Sequence, residues 1–79
     1  MVDKSEFRNK KRSVSLDGRH TSISLEQPFW DYLHKMASER EMSMSHLVAE
    51  IDDDKQTPNL SSAARIACLV HSINGKAHV

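Results

Sequence analysis

The sequence predicts a mainly α-helical domain that opens with a short β-ribbon and completes its core in a dimer. Alternating polar and apolar residues over Arg19–Leu25 indicate a strand, and apolar residues at helical spacing in three later segments indicate helices. The chain has only 79 residues and a single cysteine. Since one core rarely stabilises so small a chain, a second copy is the remaining source of support.

The predicted strand has two chemically different faces. Thr21, Ile23 and Leu25 fall on one side of an extended chain. The other side holds the polar residues His20, Ser22 and Ser24. No segment that follows offers this strand a partner, and unpaired backbone groups are costly once buried. We therefore expect two copies to pair antiparallel, with Ile23 and Leu25 facing the helices of both chains.

Residues 13–16 leave a second possibility open. Val14 and Leu16 alternate with serines, and Asp17-Gly18 follows them. Asp-Gly between alternating segments favours a tight hairpin, because both central residues of a type I′ turn need positive φ. Residues 13–16 would then form a second strand beside the first, but neither segment is long enough to decide this.

Three helices follow, each with one apolar stripe and recognisable ends. Pro28 suits a first helical turn, Ser43 or Ser45 can cap the second helix, and Asn59 can cap the third. The predicted helices run from Gln27 or Pro28 to Arg40, from Ser43 or Ser45 to the aspartates at 52–54, and from Leu60 to Asn74.

The charges are segregated although their sum is zero. Residues 1–25 carry a net charge of +3, and the rest of the chain carries −3. We interpret residues 1–12 as a flexible basic arm, residues 13–74 as the folded domain and residues 75–79 as a tail. No apolar run is long enough to cross a membrane and no signal peptide is evident, so a cytoplasmic location is expected.

No pattern in the sequence indicates an enzyme, a metal site or a cofactor. Gly-rich phosphate loops, nucleophile elbows and paired histidine ligands are absent. The three consecutive aspartates 52–54 do not converge on a helix, and they fit a helix end better than a metal site. Cys68 and His71 fit a packed thiol and a surface imidazole better than a pair of ligands.

The residues resemble a known family. The run T-S-I-S-L-E-x-P-F-W, a helix, and then S-x-S-H-L-V-A-E-I are similar to the ribbon-helix-helix proteins of MetJ/Arc type. The opening N-L-S-S-A of the third helix is similar to a compact bacterial branch with an added C-terminal helix. The resemblance covers roughly residues 12–73. It implies an intertwined homodimer whose paired strands enter the DNA major groove.

The resemblance also implies roles for particular residues. His20, Ser22 and Ser24 match the positions that face the bases. The start of the second helix matches a phosphate clamp formed by Ser43, Met44 and Ser45, with further phosphate contacts from Lys11, Arg12 and Arg19. The core of the dimer would contain Ile23, Leu25, Trp30, Leu33, Leu47, Val48 and Ile51.

Three features depart from the family pattern. Ser22 and Ser24 are short and can pair with several bases, whereas Arg, Asn or Gln give sharper contacts, so weak sequence preference is expected. Glu41 occupies a position where the family often has glycine before the second helix. A hairpin in both subunits would also give four strands, about 14 Å across, which is wider than a major groove of about 12 Å. Either residues 12–18 would move away on DNA, or the sheet would serve another purpose.

Two hypotheses follow for the function. The first is a homodimeric DNA-binding protein, a small transcriptional regulator. The alternative is a protein-interaction module or antitoxin-like partner binder on the same dimeric scaffold, which an exposed apolar patch on the third helix would favour. Both rest on the strand-paired dimer, so a monomeric structure in which the chain's own helices cover Ile23 and Leu25 would reject both.

Overall fold

A two-stranded hairpin precedes three helices. The computed structural model describes residues 8–16 and 18–77, with side chains as far as residue 74. The elements are strands β1 (Asn9–Leu16) and β2 (Arg19–Glu26), followed by helices α1 (Gln27–Glu39), α2 (Met44–Asp54) and α3 (Leu60–Ala77). The strand at 19–25 and the three helices predicted from sequence are therefore confirmed.

The boundaries of the domain differ from the predicted ones at both ends. Strand β1 begins at Asn9, so residues 9–12 belong to the sheet and not to an arm. Helix α3 continues to Ala77, so residues 75–77 are helical and not part of a tail. The rest of the predicted arm, residues 1–7, and the last two residues lie outside the described part of the chain.

The hairpin has the register that the Asp-Gly pair predicts. Strands β1 and β2 are antiparallel, with Leu16 opposite Arg19 and Val14 opposite Thr21. Gly18 has a φ of 82°, in the left-handed region that glycine enters without a steric penalty. Asp17 lies outside the described residues. The question left open for residues 13–16 is answered, because all of them lie in β1.

The core lies between the inner face of this hairpin and the three helices. Helix α2 packs against β1, and α1 and α3 pack against β2. Ile23 is 2% exposed and Leu25 is fully buried within the single chain. The other core residues are Val14, Leu16, Trp30, Leu33, Met36, Ala37, Leu47, Val48, Ile51, Ala63, Ala64 and Cys68.

The expectation that β2 needs a second copy is therefore wrong. Strand β1 supplies the backbone partner, and the chain's own helices cover the inner face. The seven residues predicted for a dimer core, which are Ile23, Leu25, Trp30, Leu33, Leu47, Val48 and Ile51, are all buried inside one chain. The expectation failed because the strand at residues 13–16, which places Val14 and Leu16 on the same face as Ile23 and Leu25, was left open.

Two polar connections hold α3 against the rest of the domain. The Arg65 side chain donates from Nε to Glu26 Oε1 at 3.0 Å, which ties α3 to the end of β2. The Tyr32 hydroxyl lies 2.7 Å from His71 Nδ1, and His71 Nε2 lies 3.4 Å from Glu39 Oε1, which ties α3 to α1. These contacts, at Arg65 and at His71, fix the rotation of α3 about its own axis at two positions along the helix.

Candidate nucleic-acid interface

The outer face of the hairpin is polar along its whole length. Because paired residues share a face, the register places Asn9 with Glu26, at the open end of the hairpin, and three further cross-strand pairs on the side opposite the core. These three are Lys11 with Ser24, Ser13 with Ser22, and Ser15 with His20. All six are exposed except Ser24, which is half-buried. The predicted base-facing residues His20, Ser22 and Ser24 thus lie together, away from the core.

Lys11 belongs to this face, although it was predicted to contact phosphates only. It lies opposite Ser24, in the same row as the serines and His20. The alternation that reveals a strand is lost at this point, because Lys10 and Arg12 occupy the inner-face positions opposite Leu25 and Ile23. Because a cation is not expected at an inward position, the possible first strand was predicted to begin at Ser13, whereas β1 begins at Asn9.

Arg12 keeps its cation near the surface by lying over Trp30. Its guanidinium carbon is 5.7 Å from the centroid of the indole ring, while the residue as a whole remains exposed. The indole Nε1–H donates to the backbone carbonyl of Lys10 at 3.0 Å. Trp30 therefore anchors the first half of β1 and orients an exposed positive charge at the flank of the hairpin.

The start of α2 has the geometry of an anion site. Ser43 caps the helix, and its Oγ accepts a hydrogen bond from the backbone N–H of His46 at 3.0 Å. The N–H groups of Met44 and Ser45 lie in the first turn, where no preceding carbonyl of the helix can reach them. Such groups, together with the helix dipole, favour a phosphate oxygen.

Glu41 stands in the left-handed region, with a φ of 54°. Its backbone N–H donates to the carbonyl of Ser38 at 3.1 Å, and that of Met42 donates to the carbonyl of Ala37 at 2.9 Å. These bonds close the end of α1 and turn the chain into α2. Glycine is the residue usually found in this conformation, so Glu41 carries the strain of a side chain there.

The turn end of the hairpin and the start of α2 border one shallow depression of about 350 Å³. Ser15 contributes the hairpin side, and Ser45 and His46 contribute the helix side. Glu50 and Asp53 also line it. The Glu50 carboxylate is partly neutralised by Arg40 at 2.7 Å and by the imidazole of His46 at 3.6 Å when that ring is protonated.

Arg40 and His46 are candidate phosphate contacts that were not predicted from the sequence. Both reach Glu50 on α2, and both are well exposed. Arg19, in contrast, does not join the clamp. It lies opposite Leu16 on the inner-face register, and its guanidinium is 3.8 Å from the carboxylate of Asp52 near the end of α2.

Other kinds of site find little support in the described residues. Over 8–16 and 18–77 no group of three or more His, Cys, Asp or Glu side chains could hold a metal ion. Within the same residues no helix has the length and apolar character needed to cross a membrane. Burial raises the pKa of the Cys68 thiol to about 11, which keeps it protonated and poorly reactive at neutral pH.

Comparison with known proteins agrees with the geometry of strand, helix and helix. The model of the family described as "Ribbon-helix-helix domain" matches residues 9–72. The chain therefore belongs to the ribbon-helix-helix family. Domains of this family are generally DNA-binding transcription regulators and are typically not enzymes.

A solved structure is similar over almost the whole chain. It is that of an uncharacterized protein from Bordetella pertussis Tohama I, which matches with a TM-score of 0.81 and 26% identity. The match covers 99% of this chain and 67% of that one. No curated protein sequence matches the chain.

Proposed function

We propose that this protein is a homodimeric DNA-binding transcriptional regulator, and that each chain inserts its own hairpin into the DNA major groove. The observation that carries the proposal is the polar outer face of the hairpin, with the start of α2 beside its turn. A bacterial, cytoplasmic location belongs to the same proposal, because a regulator must reach its operator.

The width of the hairpin supports this form of the proposal. A major groove of about 12 Å admits a two-stranded ribbon, whose strands are about 4.8 Å apart. Because β1 and β2 pair within one chain, a single protomer offers a complete ribbon. The conflict with a four-stranded sheet disappears, since no second hairpin has to enter the same groove.

This version replaces the strand-paired dimer expected from the sequence. Burial of Ile23 and Leu25 within one chain removes the need for a dimer built on β2. DNA binding is proposed on other grounds, which are the family membership and the composition of the outer face. The dimer is proposed because DNA-binding proteins of this size commonly use two-fold symmetry to read two half-sites.

The chemistry of the outer face suggests modest sequence preference. Lys11 can donate to guanine O6 or N7, and His20 offers a ring nitrogen. The four serines at 13, 15, 22 and 24 can donate to or accept from several bases. Most of the affinity would come from phosphate contacts by Arg12, Arg40 and the first turn of α2, which position the ribbon without reading sequence.

A titration with duplex DNA at two salt concentrations tests the proposal. Binding should weaken strongly between about 50 and 200 mM salt, because each neutralised phosphate releases counterions. Lys11→Ala should lower the affinity, whereas the matched control Lys35→Ala should not. Lys35 also carries one positive charge, but it lies on α1, 5.5 Å from the ring of Tyr32. Absence of binding at low salt would reject the proposal.

A second function is favoured by one observation. Helix α3 exposes four large apolar side chains, which are Ile66, Leu69, Val70 and Ile73. An exposed apolar patch of this kind marks a protein-interaction surface. The alternative of a protein-interaction module or antitoxin-like partner binder therefore stands, and a stable complex with another protein through α3, without DNA binding, would support it.

A further inference from the structure

The first half of β1, Asn9–Arg12, is attached to the domain without an apolar side chain of its own. All four of its residues are exposed, whereas Val14 and Leu16 in the second half are buried. The register puts Lys10 and Arg12 at the inner-face positions of this half. Because burial of apolar side chains chiefly holds a strand on a core, the first half depends on its pairing with β2 and on polar contacts.

Trp30 of α1 provides two such contacts from inside the core. The residue is 2% exposed, and its Nε1–H donates to the carbonyl oxygen of Lys10 at 3.0 Å. The guanidinium carbon of Arg12 lies 5.7 Å from the centroid of the same ring. A buried indole N–H needs an acceptor, and the face of an indole attracts a cation, so both contacts are favourable. One core side chain thus reaches two residues of the exposed half-strand.

The two contacts lie on either side of Lys11. Trp30 holds the backbone of Lys10 before it and the side chain of Arg12 after it. Lys11 itself lies on the outer face, opposite Ser24. Since both neighbours of Lys11 are attached to the core, the point from which its side chain leaves the sheet is fixed as well. Trp30 therefore acts on the outer face, although it packs on the inner side of the sheet.

The contact of Arg12 differs from those of three other arginines of the domain. Arg19, Arg40 and Arg65 each pair with a carboxylate. Within the described part of the chain no carboxylate pairs with Arg12, and its cation lies over the neutral ring of Trp30 instead. An ion pair offsets the charge that a phosphate would attract, whereas a cation–π contact orders the side chain and leaves its charge intact. Arg12 is thereby both ordered and available to an anion.

We propose that Trp30 is a positioning residue for DNA binding, which acts through Lys11 and Arg12 without touching the DNA. The inference rests on the proposed function and deepens it, because it names what aligns these cations before the protein meets DNA. A long cationic side chain that is already ordered loses less conformational entropy when it contacts a phosphate. The order that Trp30 provides therefore raises the affinity for DNA above what the charges alone would give.

The first arm of the test needs no DNA. Amide NMR order parameters should fall over residues 10–12 in Trp30→Leu, which removes both the indole N–H and the ring. Those of Val14 and Leu16 should stay unchanged, since their own side chains are buried. The matched control is Leu33→Val, which trims a fully buried residue one turn further along α1 and should leave all these values unchanged. Unchanged order over residues 10–12 in Trp30→Leu would overturn the inference.

The second arm is the duplex titration at two salt concentrations, with each variant first shown to be folded by circular dichroism. Trp30→Leu should weaken binding roughly ten-fold and lower the salt slope by about one, because an ordered phosphate contact is lost. Trp30→Phe keeps a ring beneath Arg12 and should have an intermediate affinity. Leu33→Val should bind as the natural chain does. Where Trp30→Leu does not fold, Trp30→Phe is compared in its place and must show the lower affinity itself.

A double-mutant comparison separates positioning from packing. In a chain that already carries Lys11→Ala and Arg12→Ala, Trp30→Leu should change the affinity by less than about two-fold, because changes that act through the same groups are not additive. A core residue without this role would instead lower stability and leave the affinity of the folded protein and its salt slope unchanged.

Three outcomes contradict the inference. Equal binding by the natural chain and Trp30→Leu, or an equal loss from Trp30→Leu with and without the two cations, would overturn it and leave the proposed function standing. A loss of affinity that Leu33→Val shares would show that Trp30 acts only as part of the core. A natural chain that binds no duplex at low salt would reject the proposed function, and this inference with it.

Discussion

The outer face of the hairpin and the outer stripe of α3 are both exposed surfaces, but their chemistry is opposite. The first has Lys11, His20 and four serines in paired rows, and the second has four aliphatic side chains and no charge. A polar surface with cations is suited to phosphates and base edges, whereas an aliphatic surface gains only from leaving water. The molecule therefore separates a surface suited to nucleic acid from a surface suited to protein.

The largest effect on stability is expected from truncating a leucine, and its size should differ between a buried leucine of the hairpin and an exposed one of α3. Leu25 is fully buried on the inner face of the hairpin, whereas Leu69 is 60% exposed. Leu25→Ala should lower the free energy of unfolding by about 2–5 kcal/mol. Leu69→Ala should change that of the monomer by less than about 0.5 kcal/mol. Urea unfolding at concentrations below dimer formation measures both, and similar losses would mean that α3 packs differently.

The next effect concerns the flank of the hairpin. Arg12→Ala should weaken binding to every duplex by roughly ten-fold and lower the salt slope by about one, if its guanidinium contacts a phosphate. The same substitution removes the cation over Trp30, which should cost about 0.5–1 kcal/mol of stability. Arg12→Lys keeps the charge and serves as the control in the DNA titration. An unchanged affinity for Arg12→Ala would remove this residue from the interface.

A smaller effect, of opposite sign, is expected between α1 and α2. Glu41→Gly relieves a left-handed residue with a φ of 54°, and should stabilise the domain by about 1 kcal/mol. It also removes a carboxylate near the start of α2, so the affinity for DNA should rise. Thermal unfolding and the DNA titration measure the two consequences separately. Glu41→Ala removes the charge but keeps a side chain in the left-handed conformation. It should therefore raise the affinity for DNA without stabilising the domain as Glu41→Gly does.

The smallest effect concerns the bond between β2 and α3. The pKa of Glu26 is lowered below its usual 4.5. The larger cause is a hydrogen bond with its own backbone, and the next is the hydrogen bond from Arg65. A carboxyl whose pKa is lowered on folding stabilises the protein above pH 4.5, and this contribution is lost as the pH falls through the folded value. The stability difference between the natural chain and Glu26→Gln should therefore be present at neutral pH and disappear under acid. A difference that persists well below the folded pKa would show that charge is not its source.

Much of the fold was predictable because its determinants are local. The period of two around Ile23, Pro28 at a helix start, Ser43 as a helix cap and Gly18 in the turn each specify nearby backbone, and the structure has each where expected. The faces of β2 were also predicted, because alternation assigns them without knowledge of the partner.

What could not be predicted depends on contacts distant in sequence. The first half of β1 was missed because Arg12 occupies an inward position and is accommodated by Trp30, 18 residues later. Burial of the seven assigned core residues within one chain was not predicted, because a stripe of apolar residues does not reveal whether its cover comes from the same chain. Arg40 and His46 could not be assigned to the candidate site from the sequence, because it is the fold that places both next to Glu50.

The most direct test of the proposed DNA-binding surface is a map of the residues that respond to DNA. Amide NMR spectra of the full chain should be recorded at low salt as a short duplex is added. We expect the largest changes at Lys11, Ser13, His20 and Ser22 and in the first turn of α2, with little change at the exposed apolar residues of α3. Changes concentrated on α3, or no changes anywhere, would contradict the claim that this hairpin is the surface that binds DNA.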